Sequence, residues 1–335
     1  MTNLITCKNG CEKNLAREIR LYKGTVAMIG RGWILAQHSE PTPCFAYSLL
    51  ENPQKISAAS VNDFTEQLLN VFTSHLTDKR ITQPWPLIFS SGGDEKLLHR
   101  AKTVEKSWRE KLQRKMSRVA KLSTSNLLPS EQFVDGFFVY FIDFDQAFVS
   151  FKARSAGQKR MQMDENAPSR SYLKLEEAFH IFGFEPRKNE TVVDLGAAPG
   201  GWSYSALKRG AIVTAVDNGP LKGVVRSHPN LTHLRTDAFK YQPQRNESVD
   251  WLLGDLLAHP DFALDMVCTW LKNKWCRRFV INLKVGRWDP IDVLKKIHDG
   301  DKGLTRHCRI SKIRQLYHDR EEITLMGQTH FSPTK

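Results

Sequence analysis

Over residues 1 to about 90, short apolar runs alternate with stretches of helical spacing. Leu4-Ile5-Thr6-Cys7 predicts a short strand, and Glu12 to Arg20 predicts a helix with Leu15 and Ile19 on one face. Val26 to Ile29 and Trp33 to Ala36 predict two strands separated by the turn Gly30-Arg31-Gly32. Phe64, Leu68, Val71 and Phe72 recur at helical spacing, which predicts a helix over 61–76, and Pro84-Trp85-Pro86 ends any helix. Leu97, Ala101, Val104, Trp108, Leu112, Met116 and Val119 then step by three or four, the pattern of one long amphipathic helix over 96–121. Phe137 to Ile142 and Ala147 to Phe151 read as a hairpin, and the polar, basic stretch 152–166 reads as a linker.

Beyond it the pattern changes to buried strands alternating with helices. Thr191 to Leu195, Ala211 to Val216, Asn230 to Leu234, Val249 to Gly254 and Arg278 to Lys284 are strand-like runs. Helices are predicted over 202–208, 262–273 and 291–298, and Arg309 to Leu316 with Glu322 to Met326 form a closing pair of strands. Such alternation predicts an α/β, Rossmann-like fold, a mainly parallel sheet with helices on both faces. The expected organisation is an N-terminal α+β region over 1–152 (two subdomains, about 1–55 and 56–152, are compatible with it), a linker at 153–166 and an α/β domain over 167–335.

Composition narrows the partners. The 335 residues carry a formal charge of +13, which favours a polyanion, although solubility alone would also be served by it. The predicted helix over 96–121 concentrates that charge: Lys102, Lys106, Arg109, Lys111, Arg114, Lys115, Arg118 and Lys121 share its polar face with Glu105 and Glu110. Such a face is either solvated or a rail for RNA phosphates. No apolar run approaches the roughly 18–20 residues of a membrane span, and the first residues lack a signal-peptide pattern. The six cysteines form neither a C-x-x-C pair nor a zinc spacing, so a cytoplasmic protein without metal, most simply a monomer, is expected.

The candidate chemistry gathers at strand ends. Asp194 closes the run at 191–195, and Gly196-Ala197-Ala198-Pro199-Gly200-Gly201-Trp202 leads into a helix. Small residues are needed where backbone turns sharply against a ligand. The turn is not the G-x-G-x-x-G of dinucleotide enzymes, which argues against a nicotinamide-dependent oxidoreductase. About twenty residues past the first glycine, Asp217 ends the next strand, where an acid is placed to bind ribose hydroxyls of an adenosine-containing cofactor. Asp237 follows the third strand and is equally compatible with an adenine contact or with a loop acid of no special role. Asp255 and Lys284 end the fourth and fifth strands. Ligands of open α/β sheets bind at that edge.

Ala167-Pro168-Ser169-Arg170-Ser171-Tyr172-Leu173-Lys174, Val193-Asp194-Leu195-Gly196-Ala197-Ala198-Pro199-Gly200-Gly201-Trp202, Val216-Asp217-Asn218-Gly219-Pro220, Asn282-Leu283-Lys284 and Gln315 to Thr324 together resemble the FtsJ-type ribose 2′-O-methyltransferases. Within them, the resemblance is to the branch that modifies a cytidine of 23S ribosomal RNA. It covers residues 167 to about 326. It implies S-adenosyl-L-methionine as cofactor, 23S rRNA or a large-subunit precursor as partner, and a ferredoxin-like and THUMP-type RNA-binding region in the first half. It implies a catalytic tetrad of Lys174, Asp255, Lys284 and Glu322. Glu321 competes for the last place, and Glu322 is preferred because Ile323-Thr324-Leu325 follows it directly. It also implies a cofactor set of Ser169, Asp194, Gly196, Ala197, Pro199, Gly200, Gly201, Trp202, Asp217, Asp237 and Asp255. The family's usual Asp-Met-Ala-Pro-Asn is here Asp255-Leu256-Leu257-Ala258-His259-Pro260, a departure in the substrate loop. On this reading Lys284 accepts the hydroxyl proton or stabilises the alkoxide, which calls for a lysine pKa lowered by burial and by Lys174. The same reaction on another RNA, or an RNA-binding protein without turnover, are the alternatives.

Overall fold

The computed structural model describes all residues except 39, 78–79, 126–131, 245–246, 300–302 and 331–335. They form two units, Met1–Gly157 and Gln158–Lys335.

The first unit runs β1 (Thr2–Cys7), α1 (Glu12–Leu21), β2 (Thr25–Gly30), β3 (Trp33–Gln37), β4 (Ala46–Glu51), β5 (Gln54–Ser57), α2 (Val61–His75), β6 (Trp85–Ser91), α3 (Glu95–Lys115), α4 (Ser117–Lys121), β7 (Ser123–Thr124), β8 (Val134–Phe141) and β9 (Gln146–Ser155). One sheet runs through it in the order β2-β3-β1-β4-β9-β8-β6-β7, with β5 also on β9. The two subdomains considered from sequence are therefore continuous: Ser48–Leu50 of β4 pair with Ala153–Ser155 of β9. Phe64, Leu68 and Phe72 of α2 and Val104, Trp108 and Leu112 of α3 close over Leu87, Phe137 and Phe141 of the sheet. Full burial of each such side chain contributes roughly 1.5–3 kcal/mol.

The helix predicted over 96–121 is two helices. Met116, at φ −144° and ψ 62°, breaks it. The residues beyond Met116 are drawn back to the sheet: the Trp85 indole donates to Val119 O at 2.9 Å, Trp85 N donates to Leu122 O at 3.1 Å, and β7 pairs with β6. The basic face is also partly spent within the unit. Arg109 donates to Glu105, Ser123, Ser125 and Leu87 O, and Lys111 pairs with Glu66 at 2.5 Å. Lys102, Lys106, Arg114, Lys115, Arg118 and Lys121 stay exposed.

The second unit runs α5 (Tyr172–Phe182), β10 (Thr191–Leu195), α6 (Gly201–Lys208), β11 (Ile212–Val216), β12 (Leu231–Leu234), β13 (Val249–Gly254), α7 (Pro260–Lys272), β14 (Cys276–Lys284), α8 (Pro290–His298), β15 (Cys308–Arg314) and β16 (Glu322–Thr329). The sheet order is β12-β11-β10-β13-β14-β16-β15. The first five are parallel, and β16 and β15 are antiparallel. This is the α/β arrangement expected. Parallel strands are covered on both faces, and Val192, Val193, Leu252, Leu253, Phe279, Val280 and Ile281 are accordingly buried.

The stretch expected as a linker at 153–166 is structured. Its first residues belong to β9, and the rest is strapped to the second unit. Lys159 N donates to the buried Glu177 carboxylate at 3.1 Å, Met161 N to His318 at 2.9 Å, and Tyr172 OH to Gln162 O at 2.9 Å. Burial pushes Glu177 up to about 7, although its carboxylate also accepts the N–H groups of Tyr317 and His318. Among the described residues no helix is long and apolar enough to cross a membrane.

Candidate active site

The turn after β10 is built by glycine geometry. Gly196 sits at φ +75° and Gly200 at φ +114°, values that L side chains rarely adopt. A Cβ at Gly196 would meet Leu256 at 2.7 Å, and one at Gly200 would meet Val225 at 2.6 Å. At Gly201, which opens α6, a Cβ would meet both the Ser169 and Ser171 hydroxyls at 2.5 Å. Those hydroxyls are bonded to one another at 2.7 Å, so the Ser169 turn lies directly on the start of α6. Trp202 is buried, and its indole donates to Ser171 O at 3.0 Å. It serves as packing between α6 and the start of α5. Ala197 is buried as well, and Pro199 O accepts the Lys222 N–H at 2.9 Å.

The three acids behave differently. Asp194 is 1% exposed and accepts the Ser203 hydroxyl at 2.6 Å. Burial, with the charges of Asp255 and Asp217 adding to it, pushes its carboxyl up to about 7. Its role in this structure is to hold α6 on the sheet from inside. Asp217 is half-buried at the end of β11 and closes the turn, accepting Ala198 N–H at 2.9 Å on one oxygen and Gly219 N–H at 2.7 Å on the other. Each oxygen keeps acceptor capacity. Asp237 accepts the N–H of Phe239 at 2.9 Å, a local turn.

Four charged side chains converge at the end of the sheet. Lys174 comes from the first turn of α5, which buried Leu173, Leu175, Ala178 and Phe179 hold in the core. Asp255 directly follows β13. Lys284 is the last residue of β14 and Glu322 the first of β16, and the antiparallel register sets them opposite each other. Lys284 Nζ lies 2.5 Å from Asp255 Oδ1 and 3.3 Å from Glu322 Oε1. Lys174 Nζ lies 2.9 Å from the same Glu322 oxygen and 3.9 Å from Asp255 Oδ2. Signs alternate around this ring, and its side chains are only 13–19% exposed, so attraction is little screened. Burial disfavours the Lys174 ammonium, but Asp255, Asp319 and Glu322 outweigh it, and its pKa is raised. Burial likewise acts against the Glu322 carboxylate, but Lys174, the Arg320 N–H and Lys284 hold its pKa below the usual range.

Glu322 is the acid that enters the ring. Glu321 stands outside it, exposed, where its carbonyl accepts Val285 N–H at 2.9 Å. Two residues outside the expected set complete the arrangement. Asn282, fully buried, accepts from Lys284 Nζ at 3.0 Å, and its amide donates to the buried Asp319 at 2.9 Å and to Thr324 at 3.0 Å. Asn282 lies in Asn282-Leu283-Lys284 and Asp319 in Gln315 to Thr324, both stretches that carry the resemblance, but nothing local joins the two, 37 residues apart.

Residues 167–269 match the family model described as FtsJ-like methyltransferase. Over 178 residues the chain is 42% identical to the Ribosomal RNA large subunit methyltransferase M of Halorhodospira halophila, covering 52% of this chain and 50% of that protein. The protein of the same description from Pseudomonas entomophila is 41% identical over 177 residues (50% of this chain, 49% of that protein), and that of Erwinia tasmaniensis 39% over 190 (53% and 51%). The chain thus spans about half the length of these curated relatives. Residues 167–269 of the second unit are thus similar to FtsJ-like methyltransferases, and about half of the chain is similar to about half of the ribosomal RNA large subunit methyltransferases M.

Proposed function

We propose that the chain transfers a methyl group from S-adenosylmethionine to a ribose 2′-hydroxyl of large-subunit ribosomal RNA. The sequence resemblance implies a cytidine of 23S rRNA as acceptor. One observation carries the reading: a closed ring of two lysines and two carboxylates at the strand ends, beside a glycine turn capped by Asp217.

The residues present fit an adenosyl group. Asp217 retains one acceptor position on each oxygen, which suits a vicinal ribose diol, and Gly196 and Gly200 supply the positive φ angles of the turn it closes. Ser169 lies against Gly201 at the start of α6 and Asp194 holds Ser203 of the same helix, so both support the turn, and Asp237 is the candidate for an adenine contact. When bound, the cofactor supplies an electrophilic methyl on a sulfonium centre.

A ribose hydroxyl is a poor nucleophile at neutral pH, so the protein's contribution is to hold it in line and to stabilise charge on its oxygen. Orientation of this kind supplies roughly 7–11 kcal/mol in favourable cases. Three acceptors surround Lys284 Nζ, namely Asp255, Asn282 and Glu322, an arrangement suited to an ammonium. Of these contacts that to Glu322 is longest, and Lys284 and Glu322 both border the open cleft. The acceptor oxygen displaces that contact, Lys284 donates to it, and the released hydroxyl proton passes to water. Lys174 keeps Glu322 and Asp255 in place.

The test is transfer of labelled methyl from S-adenosylmethionine to bulk unmodified ribosomal RNA, wild type beside Lys284→Ala. Alkali-resistant ribose label that disappears in the variant is expected. Cofactor binding with no transfer to any ribosomal RNA or precursor particle would reject the reading.

A further inference from the structure

A cleft of about 450 Å³ opens beside Lys284 and Glu322. Three chain segments form it: the loop after β13, the loop after β14 and the residues just before β16. Trp288 and His259 meet edge to face across it, ring centroids 4.5 Å apart. His259 is held from behind, because its Nδ1 accepts the Asp261 N–H at 3.1 Å and caps α7. Leu257, in the segment that departs from the family's usual motif, is 93% exposed on the rim. Arg287 and Arg320 are exposed on the same cleft and have no ion-pair partner among the described residues.

These features belong to different chemistries. An exposed leucine beside an aromatic pair asks for a flat apolar partner. Two unpaired guanidiniums ask for anions that present paired oxygens, such as phosphates. A single-stranded nucleotide satisfies both, since its base offers a π-face and its flanking phosphates offer charge. A paired nucleotide does not, because its base faces are covered by neighbours in the stack.

We propose that this cleft holds an unstacked nucleotide of single-stranded RNA, its base on Trp288, its flanking phosphates on Arg287 and Arg320, and its ribose toward Lys284 and Glu322. The inference rests on the methyltransferase reading for the atom that reacts, and adds to it the form of RNA accepted. Trp288 and the two arginines are then binding residues, with His259 fixing the edge on which Trp288 leans.

The experiment measures binding of a short oligocytidylate, and of the same sequence held in a duplex, by quenching of tryptophan fluorescence and by anisotropy in the 335-residue chain. The single strand is expected to bind more tightly than the duplex. Trp288→Ala is expected to weaken it roughly tenfold or more, and Trp288→Phe to restore most of the loss. Arg287→Ala with Arg320→Ala should lower the slope of log affinity against log salt by about 1.4, two phosphate contacts at roughly 0.7 each. S-adenosylmethionine affinity should be unchanged in all of them. Both arginines are exposed, so they decide the matter if Trp288→Ala does not fold. Wild-type oligonucleotide binding in Trp288→Ala together with an unchanged salt slope in the arginine variant would overturn the proposal, as would tighter binding of the duplex. Trp288-dependent binding without methyl transfer to any RNA would uphold the cleft and reject the reaction.

Discussion

Asp319 Oδ1 accepts a hydrogen bond from Asn282 Nδ2 at 2.9 Å, and this bond decides which way the Asn282 amide faces. An ionised carboxylate can only accept, so the amide NH₂ turns to Asp319 and the amide oxygen turns to Lys284. Asp319 is therefore a positioning residue, one hydrogen bond removed from the lysine. Asp319→Asn is expected to lower kcat for methyl transfer by roughly tenfold to a hundredfold, the scale of an ångström-sized misplacement. S-adenosylmethionine affinity and the KM for RNA should stay near wild type. Single-turnover transfer checks this, and an unaltered kcat would assign Asp319 to stability alone.

The ring itself gives a sharper contrast between neighbours. Lys284→Ala should reduce transfer by about 10²–10⁴-fold. Glu322→Gln should cost more than tenfold, because Glu322 holds both lysines, whereas Glu321→Gln should lie within about twofold of wild type. Initial rates on unmodified ribosomal RNA, with cofactor affinity measured in parallel, separate the two. Equal losses at Glu321 and Glu322 would contradict the ring as the reacting site.

Asp217 offers the cofactor test. Asp217→Asn keeps one acceptor for the turn but loses the charge and half of the acceptor capacity. Calorimetric affinity for S-adenosylmethionine should fall roughly tenfold to a hundredfold, in line with hydrogen bonds made by charged groups. Asp237→Asn should change it less, since that carboxylate already closes a turn of its own.

The strand ends carrying Asp217, Asp255 and Lys284 were legible because parallel strands are buried on both faces and read as uninterrupted apolar runs. Glu322 was legible from the strand that follows it. The Asn282–Asp319 bond was not, since contact across 37 residues leaves no local pattern. In the first unit β4 and β5, with sequences AYSLLE and QKIS, carry too little alternation to announce themselves. Pro86, which signalled a helix break, lies inside β6 near its start, pairing only with the two-residue β7 on one side. The break at Met116 escaped because the apolar spacing continues through Val119, and what interrupts the helix is a distant tryptophan. The second unit's polar strap reads as linker from composition, since its partners are backbone groups and a carboxylate elsewhere in the chain.

The buried acids predict how stability depends on pH. Burial first, then neighbouring carboxylates, pushes Asp194 up to about 7, and burial pushes Glu177 to about 7 and Asp319 to about 6. Their unfolded counterparts titrate near 4. Between those values the native chain binds more protons than the unfolded one, so stability falls as pH rises through about 6–7. Glu322 and Glu176 have lowered values and act oppositely: their contribution is present above the ordinary glutamate pKa and lost below it. His38, His180, His298 and His307 have lowered values and also act oppositely, so the share of the buried acids is read by difference from a variant. Asp194→Asn, which can still accept from Ser203, should raise the midpoint at about pH 8 by a few degrees and flatten the dependence. An unchanged pH dependence of the midpoint in Asp194→Asn would refute the assignment.

The exposed cations of α3 and α4 are the remaining test. Arg114, Arg118 and Lys121 are exposed, whereas Arg109 and Lys111 are held by the unit's own acceptors. If the face meets single-stranded phosphates, replacing these three by alanine should lower the salt slope of ribosomal RNA binding by about 2, from roughly 0.7 per contact. Arg109→Ala should instead lower the unfolding midpoint. An unchanged slope would leave the face as solvated surface.

Lys284 and Glu322 meet because β14 and β16 run side by side, not because of the chain that joins them. The spacing of the two charges is thus fixed by hydrogen-bonded pairing and is indifferent to the length of the excursion through α8 and β15. Residues can be gained or lost in the turns of that excursion without detuning the lysine–glutamate distance, whereas a single residue inserted within either strand would turn one of the charges to the opposite face of the sheet. The same architecture leaves the turns of the excursion outside the segment that carries Asp319 free to vary while the Lys284–Glu322 spacing stays as it is.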